Sequence, residues 1–241
     1  MAVRARLDRI ARQPLSGIMF DQLLERVLTG VFRPGQALPP ERQLCQELGV
    51  SRTAVREALA RLAQLRLIQI RHGGETRVLD FRTTAGLDLL PSLLRRANGR
   101  IDSEIARSGF EMRAAIGPDL ARLAAERRDD EIVGELTTVV EEMADTTDLA
   151  ALAELSMRFW AALAVGSQNL AYQLAFNTLR EAVRNLPGLA AAQEAELRDL
   201  RGYRQLADAV RRRDAATAMR AARAHIAIGL AGITALTRRR A

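Results

Sequence analysis

The sequence predicts a mainly α-helical protein, with three helices and a two-stranded hairpin at the N-terminus followed by an all-α bundle of about seven helices. Apolar residues make up 48% and charged residues 27% of the 241-residue chain, the balance of an ordinary globular protein. Two short β-branched runs flank a glycine turn near residue 73, as in a hairpin. Beyond residue 80 the chain is rich in Ala and Leu at helical spacing. We therefore expect two domains, at residues 1–80 and 84–241.

Turn and cap residues set the limits of the elements in the first domain. Gly30 and Gly49 stand where the chain must leave a helix, and Ser51 is a good N-cap for the helix that follows. Val55 and Leu59 recur at helical spacing, so that face of the third helix is expected to be buried. We expect helices at residues 17–29, 41–48 and 52–65 and strands at residues 67–70 and 76–79. This is the layout of a winged helix-turn-helix, in which the hairpin is the wing.

The second domain is predicted as a helical bundle. Its apolar residues recur every three or four positions, and Asn98–Gly99 and Pro187–Gly188 interrupt the pattern. We expect helices at residues 84–97, 101–127, 129–144, 148–167, 169–187, 190–212 and 214–237. Pro118 is expected to kink or split the second of these helices. A bundle of this size can bury both a core and a ligand cavity.

Composition excludes several classes of protein. The chain has one cysteine, Cys45, so no disulfide can form within it. No stretch approaches the roughly 18 apolar residues of a membrane span, and the N-terminus lacks the apolar segment of a secretory signal. We therefore expect a cytoplasmic protein without a membrane partner. The sequence contains no phosphate-binding loop, nucleophile motif or cluster of catalytic side chains, so an enzyme is not expected.

The basic residues are all arginine and are concentrated at the N-terminus. The 36 basic residues include no lysine, and the formal net charge is +7. Residues 1–80 contain 13 Arg against 8 Asp or Glu. Arginine makes bidentate hydrogen bonds to phosphate and to guanine, so this distribution favours a nucleic-acid partner. A GC-rich gene also raises the arginine content, and the positions of the arginines therefore carry more weight than their number.

The third predicted helix carries the residues expected to touch DNA. Arg52 and Arg56 are four positions apart and share one face, opposite Val55 and Leu59. Arg52 lies at the N-terminus of the helix, the part of a recognition helix that contacts base edges. Ser51 can cap the helix and donate a hydrogen bond to a phosphate. The alternative is that these arginines are ordinary solvated surface residues.

The segment from Gly35 to Val78 resembles the GntR family of bacterial transcription regulators. The matching motifs are Leu38-Pro39, Glu41-Arg42, Leu48-Gly49-Val50-Ser51-Arg52 and Val55-Arg56-Glu57-Ala58-Leu59. His72-Gly73, followed by Thr76-Arg77-Val78, looks like the wing of the FadR subfamily, in which the wing tip enters the minor groove. Ala54 departs from the family pattern, which has a hydroxyl residue there. The predicted DNA-binding residues are Arg42, Ser51, Arg52, Thr53, Arg56, His72 and Gly73.

The second domain is similar to the effector domains of the FadR and FCD types. Phe159-Trp160 matches a helix junction shared by both types, and Gly202-Tyr203 looks like FadR. FCD domains commonly hold a metal through one Asp and three His. The corresponding positions here are Ser156, Trp160, Tyr203 and His225. Because a transition metal needs several converging ligands, no metal and no other cofactor is expected.

The same positions suggest what the cavity binds instead. Trp160 and Tyr203 would give it large apolar walls, which suit an acyl or aromatic ligand. Arg113 matches an arginine important for the effector response in the FadR subfamily, and it can pair with an anionic group. The alternatives are a salt bridge from Arg113 to Glu111 or Asp119, and a core position for His225. The predicted effector-binding residues are Arg113, Trp160, Tyr203 and His225.

Together these features predict a homodimeric, sequence-specific DNA-binding transcription regulator. Its affinity for a palindromic double-stranded operator would be controlled by an effector in the helical domain. The effector expected first is a fatty acyl-CoA or a similar apolar anion, and the second is a small organic acid bound without metal. A third possibility, of another class, is a helical acyl-binding protein or enzyme that merely carries positive charge. Loss of sequence-specific duplex binding on mutation of Arg52 and Arg56 would exclude this third possibility.

Overall fold

A computed structural model describes residues 15–71, 74–94, 102–184 and 189–238 of the protein. The chain divides into two compact units between Leu89 and Leu90. The first unit contains the helix-turn-helix and the hairpin, and the second is helical. The predicted fold class is confirmed.

The first unit contains the three helices and the hairpin that the sequence predicts. Its elements are α1 (Leu15–Leu28), α2 (Glu41–Leu48), α3 (Arg52–Gln64), β1 (Ile68–Gln69) and β2 (Arg77–Val78). The two strands are antiparallel, with Ile68 opposite Val78 and Gln69 opposite Arg77. Val55 and Leu62 of α3 are fully buried, and α3 packs against α1. This packing fixes α3 by its inner face and leaves the other face to solvent.

The turn between α2 and α3 follows from Gly49 and Ser51. Gly49 adopts a left-handed conformation with φ of 63°, which suits glycine, and its N–H donates to the carbonyl of Cys45. The hydroxyl oxygen of Ser51 accepts a hydrogen bond from the N–H of Ala54 at 3.2 Å, as expected for an N-cap. These two residues end one helix and begin the next within three positions.

The wing has a contact that the sequence analysis did not anticipate. Ala37 forms a bridge with Arg77, so the segment before α2 lies along the outer side of β2. The guanidinium of Arg77 donates to the carbonyl of Gly35 at 3.0 Å. The hairpin is therefore anchored to the segment that leads into the helix-turn-helix.

The predicted helix at residues 84–97 is wrong in its described part. The chain instead forms α4 (Phe81–Thr84), a 3-10 turn (Leu87–Leu89) and α5 (Leu90–Leu94). Asp80 caps α4, and the hydroxyl of Thr84 donates to the carbonyl of Arg66 at 2.8 Å. Because Ala85 is extended, the helix ends there. Residues 95–97 lie outside the described residues.

The second unit is built around its first and last long helices, which pack against each other. The elements after α5 are α6 (Ser103–Arg127), α7 (Asp130–Ala144), α8 (Leu149–Gly166), α9 (Leu170–Val183), α10 (Leu189–Ala192), α11 (Glu194–Leu197), α12 (Leu200–Arg211) and α13 (Ala215–Arg238). The contact between α6 and α13 is the most extensive in the described chain. Gly117 permits it, because a Cβ there would lie 2.4 Å from Ile226. The core includes Phe159, Leu163 and Tyr203, which are fully buried.

Two predictions about helix breaks in this unit differ from the structure. The single helix expected at residues 190–212 is divided into α10, α11 and α12, because Asp199 begins a new helix by accepting a hydrogen bond from the N–H of Gly202 at 3.0 Å. Pro118 does not split α6, which is one helix from Ser103 to Arg127. Pro118 is buried, and the contacts of the core hold the helix through that position.

One helix has the length and composition of a membrane span, although no such stretch was expected. α8 has 18 residues of high mean hydropathy, with Glu154 and Arg158 as its charged residues. Its side chains Leu152, Phe159 and Leu163 are buried in the core of the second unit. A buried core helix has the same composition as a membrane span, so the core accounts for it.

Candidate nucleic-acid interface and ligand pocket

The five described residues that were predicted to bind DNA are all exposed. Arg42 lies in the first turn of α2, Ser51 precedes α3, and Arg52, Thr53 and Arg56 lie in its first five residues. α3 thus presents two arginines from successive turns on the side opposite its buried face. The other two predicted residues, His72 and Gly73, lie outside the described residues.

The arginines of this surface differ from their neighbours in having no partner among the residues that the structure describes. Arg42, Arg52 and Arg56 form no ion pair or side-chain hydrogen bond with any described residue. By contrast, the guanidinium of Arg61 lies 3.9 Å from the centre of the Phe20 ring. Arg66 pairs with an exposed aspartate at 3.3 Å. The unit therefore leaves the guanidinium groups of α2 and the start of α3 available for an anionic partner.

Ser51 can serve the helix and a partner together. Its oxygen accepts from the N–H of Ala54, which leaves its own O–H free to donate. It also stands at the N-terminus of a 13-residue helix, where anions are favoured by the unpaired N–H groups and the helix dipole. A phosphate beside Ser51 and Arg52 would therefore be stabilised both by the free O–H of Ser51 and by the N-terminus of the helix.

The second unit contains a pocket between α5, α6, α8, α9 and α10. The empty space is about 810 Å³, including the part open to solvent. Its wall is largely apolar and includes Leu94, Phe110, Ile116, Leu120, Phe176 and Leu179. Its lining side chains with hydrogen-bonding groups are Arg113, Trp160, Arg180 and Gln193. Because this wall is largely apolar, the pocket suits the apolar part of a ligand.

The four predicted effector residues come together, but only two of them line this pocket. Arg113 and Trp160 form part of the wall. Tyr203 and His225 are fully buried behind it, with their ring centres 4.2 Å apart. The His225 ring stacks on Trp160 at 6.3 Å. Tyr203 and His225 therefore support Trp160, and the expectation that both face the cavity is not met in this structure.

Arg113 forms a salt bridge with a residue that the sequence analysis missed. Its two terminal nitrogens donate to the two carboxylate oxygens of Glu196, at 2.9 and 2.5 Å. The expected partners have other contacts, since Glu111 pairs with Arg107 and Asp119 with Arg122. Burial alone would lower the pKa of Arg113, but the Glu196 carboxylate raises it above its usual value. The pair is a fixed, nearly neutral unit in the pocket wall.

His225 continues this network on the side away from the pocket. Its Nδ1 lies 2.9 Å from a carboxylate oxygen of Asp199, and its Nε2 lies 3.5 Å from Glu196. Gly229 makes room for the carboxylate of Glu196, because a Cβ there would collide with it. No short motif joins Glu196, Asp199 and His225, so no local pattern indicates that the three meet.

The positions that the resemblance assigns to metal ligands do come together, but their chemistry does not suit a metal. The hydroxyl of Tyr203 donates to the hydroxyl oxygen of Ser156 at 2.8 Å. Burial raises the pKa of Tyr203, so its phenol stays protonated. Asp199 and Glu196 face opposite nitrogens of His225 and cannot converge with one nitrogen on a single ion. No group of three His, Cys, Asp or Glu suited to a metal occurs within the described ranges.

Comparison with known protein families assigns each unit a match. Residues 17–78 match the family of bacterial regulatory proteins called gntR, and residues 108–227 match the FCD domain. The two matches cover the helix-turn-helix with its hairpin and most of the helical unit.

Similar proteins are named as regulators. The chain is 38% identical over 217 residues to the HTH-type transcriptional regulator Mce2R of Mycobacterium tuberculosis. The match covers 90% of this chain and 90% of that protein. It is 32% identical over 171 residues to the fatty acid metabolism regulator protein of Escherichia coli, covering 71% of this chain and 70% of that protein. A solved structure of Lar, described as controlling the expression of the Listeria monocytogenes agr system, has a TM-score of 0.61 at 17% identity and covers 94% of this chain and 100% of that one. This last match concerns the fold alone.

Proposed function

Because this chain belongs to the GntR family of bacterial regulatory proteins, we propose that an apolar anion in the pocket of the helical unit controls how tightly it binds DNA. The protein is a DNA-binding transcription regulator with an FCD effector domain, and it is not an enzyme. The observation that carries the proposal is the largely apolar wall of the pocket, which contains few hydrogen-bonding groups.

On the DNA side, we propose that α3 enters the major groove. Arg52 and Arg56 would contact base edges, while Arg42, Ser51 and Thr53 would hold the phosphate backbone. His72 and Gly73 would reach the minor groove from the wing. Two copies of the chain, acting as a homodimer in the cytoplasm, would read the two halves of a palindromic operator. The exposure of the five described residues and the unpaired state of the three arginines support this assignment.

On the effector side, we propose a fatty acyl-CoA or a similar apolar anion as the ligand. The relatives named as fatty acid metabolism regulators support this ligand class. Burial of an acyl chain against Phe110, Ile116 and Leu120 would contribute about 0.8 kcal/mol per methylene. The indole N–H of Trp160 is buried without a hydrogen-bond partner in the described part of the chain, so it remains available to an oxygen of the ligand.

The four predicted effector residues take different parts in this proposal. Arg113 and Trp160 would contact the ligand directly, because they line the pocket. Tyr203 and His225 would hold the Trp160 ring and the Glu196 carboxylate in place from behind. A ligand that shifts Arg113 or Trp160 would thereby disturb the network that joins α6, α8, α11 and α13.

Titration of the protein–operator complex with ligands tests the proposal. A ligand weakens DNA binding only if it binds the DNA-incompetent arrangement more tightly, and a tenfold loss needs about 1.4 kcal/mol of coupling. We expect long-chain acyl-CoA to lower the operator affinity, measured by fluorescence anisotropy of labelled duplex. We expect Arg113→Ala to weaken that response. A response to short organic acids and to no acyl compound would replace the apolar anion with the second candidate, a small acid bound without metal.

A further inference from the structure

The pocket wall contains two arginines whose charges are balanced differently. Arg113 is bound through both terminal nitrogens to Glu196, and the exposed fractions of the two side chains are 16% and 1%. Arg180, in the last turn of α9, forms no ion pair or side-chain hydrogen bond with any residue of the described ranges. The wall thus combines an arginine neutralised by Glu196 with an arginine that has no counter-charge among the described residues.

An anion beside Arg113 would meet the Glu196 carboxylate. Both nitrogens that Arg113 offers in a bidentate pair are already used, and two carboxylates sharing one buried cation repel each other. Displacing Glu196 would leave it buried without its cation, which is costly. A resting anion therefore has little to gain at Arg113.

Arg180 has the surroundings that an anion-binding group at a pocket rim requires. Its guanidinium carbon lies 5.9 Å from the centre of the Phe176 ring, one helical turn earlier on α9. Phe176 and Arg180 both line the pocket, so the arginine stem lies along apolar wall while the residue remains partly exposed. The partial exposure keeps the cost of desolvating both charges low.

We propose that Arg180 binds the anionic group of the effector while the apolar chain lies inside the pocket, along Phe176 and past Trp160. This inference rests on the proposed function, because it assigns the two ends of the ligand within the same pocket. It defines the ligand class as an acyl chain joined to an anionic group. In a free fatty acid that group is the carboxylate at the chain end, and in an acyl-CoA it is a phosphate beyond the neutral thioester and the pantetheine arm. Arg113 then forms part of the apolar chain's surroundings as a neutral pair with Glu196.

The chain offers a direct optical test. Trp160 is the one tryptophan of the sequence and lies in the pocket wall, so intrinsic fluorescence reports on the pocket. The full-length protein is titrated with dodecanoate, with methyl dodecanoate and with dodecanoyl-CoA. The methyl ester has the same chain without the charge, and the CoA thioester distinguishes the two sources of the anion.

The variant that tests the proposal is Arg180→Gln. We expect it to weaken binding of the charged ligand by on the order of tenfold, as for loss of a charge-assisted hydrogen bond, and to leave the ester within about twofold of wild type. Unchanged ester binding also shows that the variant pocket is folded. Arg184→Gln is the matched control, since Arg184 follows one turn later, pairs with Glu181 and does not line the pocket. It should bind all three compounds like wild type.

The remaining outcomes separate this inference from the proposed function. If wild type binds the acid and the ester equally, or Arg180→Gln keeps the wild-type preference for the charged ligand, Arg180 is not the anion site although the acyl pocket stands. If wild type binds none of the three compounds, the acyl effector itself is wrong and the assignment of Arg180 falls with it. Selective binding of dodecanoyl-CoA, weakened by Arg180→Gln, supports the inference with a CoA phosphate as the anion.

Discussion

The outer surface of α2 and α3 and the Arg113–Glu196 site of the helical unit use arginine in opposite ways. Arg42, Arg52 and Arg56 extend into solvent and have no partner among the described residues. Arg113 is largely buried at the pocket and is held by both oxygens of Glu196. The exposed arginines stay hydrated until a partner binds, whereas Arg113 already contributes to the stability of the folded state. The same residue type is therefore available for binding on α2 and α3 and committed to structure at Arg113.

This difference predicts whether removing an arginine changes the free energy of binding or the free energy of unfolding. Removing an exposed arginine takes nothing from the fold, so its effect should be confined to binding. Removing one member of the buried pair leaves the other charged and without water, so its effect should be mainly on stability. Measurements of stability and of binding on matched variants can test this contrast.

The largest effect is expected from breaking the buried pair. Glu196→Gln keeps the size of the side chain but leaves Arg113 without a counter-charge and removes the carboxylate beside His225. We expect a loss of about 3 kcal/mol, the low end for a broken buried pair, because Arg113 retains some exposure. Thermal unfolding followed by circular dichroism should then show a Tm lower by roughly 6–12 °C.

Glu194→Gln provides the matched control for this prediction. Glu194 lies two positions away on the same helix, is half-exposed and pairs with Arg198 one turn later. Exposed pairs of this kind contribute little, so its Tm should stay close to wild type. Equal losses in the two variants would mean that the buried pair has no special weight.

The next largest effect is expected on DNA binding. Arg52→Ala and Arg56→Ala should each cost about 1–3 kcal/mol of operator affinity and relax the preference at one base pair, if each arginine contacts guanine through two hydrogen bonds. The Tm of the free protein should not change, because neither side chain has a partner in the described structure. Competition binding against single-base operator variants measures both effects.

Arg61→Ala distinguishes this outcome from a general loss of charge. Arg61 is on the same helix, but its guanidinium packs on the Phe20 ring at 3.9 Å. We expect a small loss of stability, about 0.5–1 kcal/mol, and nearly unchanged base preference. If Arg61→Ala relaxed the base preference as strongly as Arg52→Ala, the assignment of the recognition face would be wrong.

The contrast between the units also explains how far the sequence could predict the fold. Gly49 and Ser51 act within a few residues of their own positions, so the limits of α2 and α3 could be read directly. The hairpin also depends on neighbouring residues. The predicted helix at 84–97 failed because Asp80 begins a short helix that ends at the extended Ala85. The hydroxyl of Thr84 also donates to Arg66 across 18 positions, a contact that no local pattern contains.

The functional residues, like the fold, could be predicted only where local patterns determine them. Exposed arginines opposite a buried face can be inferred from helical spacing alone, and the structure places Arg52 and Arg56 there. The partner of Arg113 is 83 positions away, on a helix of four residues that the sequence analysis had merged into a longer one. Arg180 and Gln193 line the pocket without belonging to any motif. Distant packing decides which of many polar residues meet, and one sequence does not contain that information.

A smaller effect is expected where an arginine contacts phosphate and not a base. Arg42→Gln should weaken binding to operator and to unrelated duplex by similar factors, because a phosphate contact is independent of sequence. The plot of log affinity against log salt should lose about 0.9 of its slope, one phosphate's share. Arg198→Gln, which removes a paired arginine of the helical unit, serves as the control and should leave the slope unchanged. Loss of base preference in Arg42→Gln would instead place Arg42 in the groove.

Metal ions are expected to have no effect on the stability of the protein. At the positions where the FCD resemblance implies ligands, Ser156 and Tyr203 are bonded to each other, and Trp160 supplies no ligand atom. The remaining imidazole of His225 has its two nitrogens directed at Asp199 and Glu196 on opposite sides. A divalent ion at Nε2 would have to break the Arg113–Glu196 pair to gain a second ligand, and an ion at Nδ1 would have Asp199 beside it but no third His, Cys, Asp or Glu of the described residues. Zn²⁺, Ni²⁺ and Mn²⁺ at micromolar concentration should therefore leave the Tm of chelator-treated protein unchanged. His225→Ala should respond to the ions in the same way as wild type. One equivalent of metal found by elemental analysis in wild type and lost in His225→Ala would show instead that this network opens to form a metal site, and that the buried pair is less fixed than its geometry indicates.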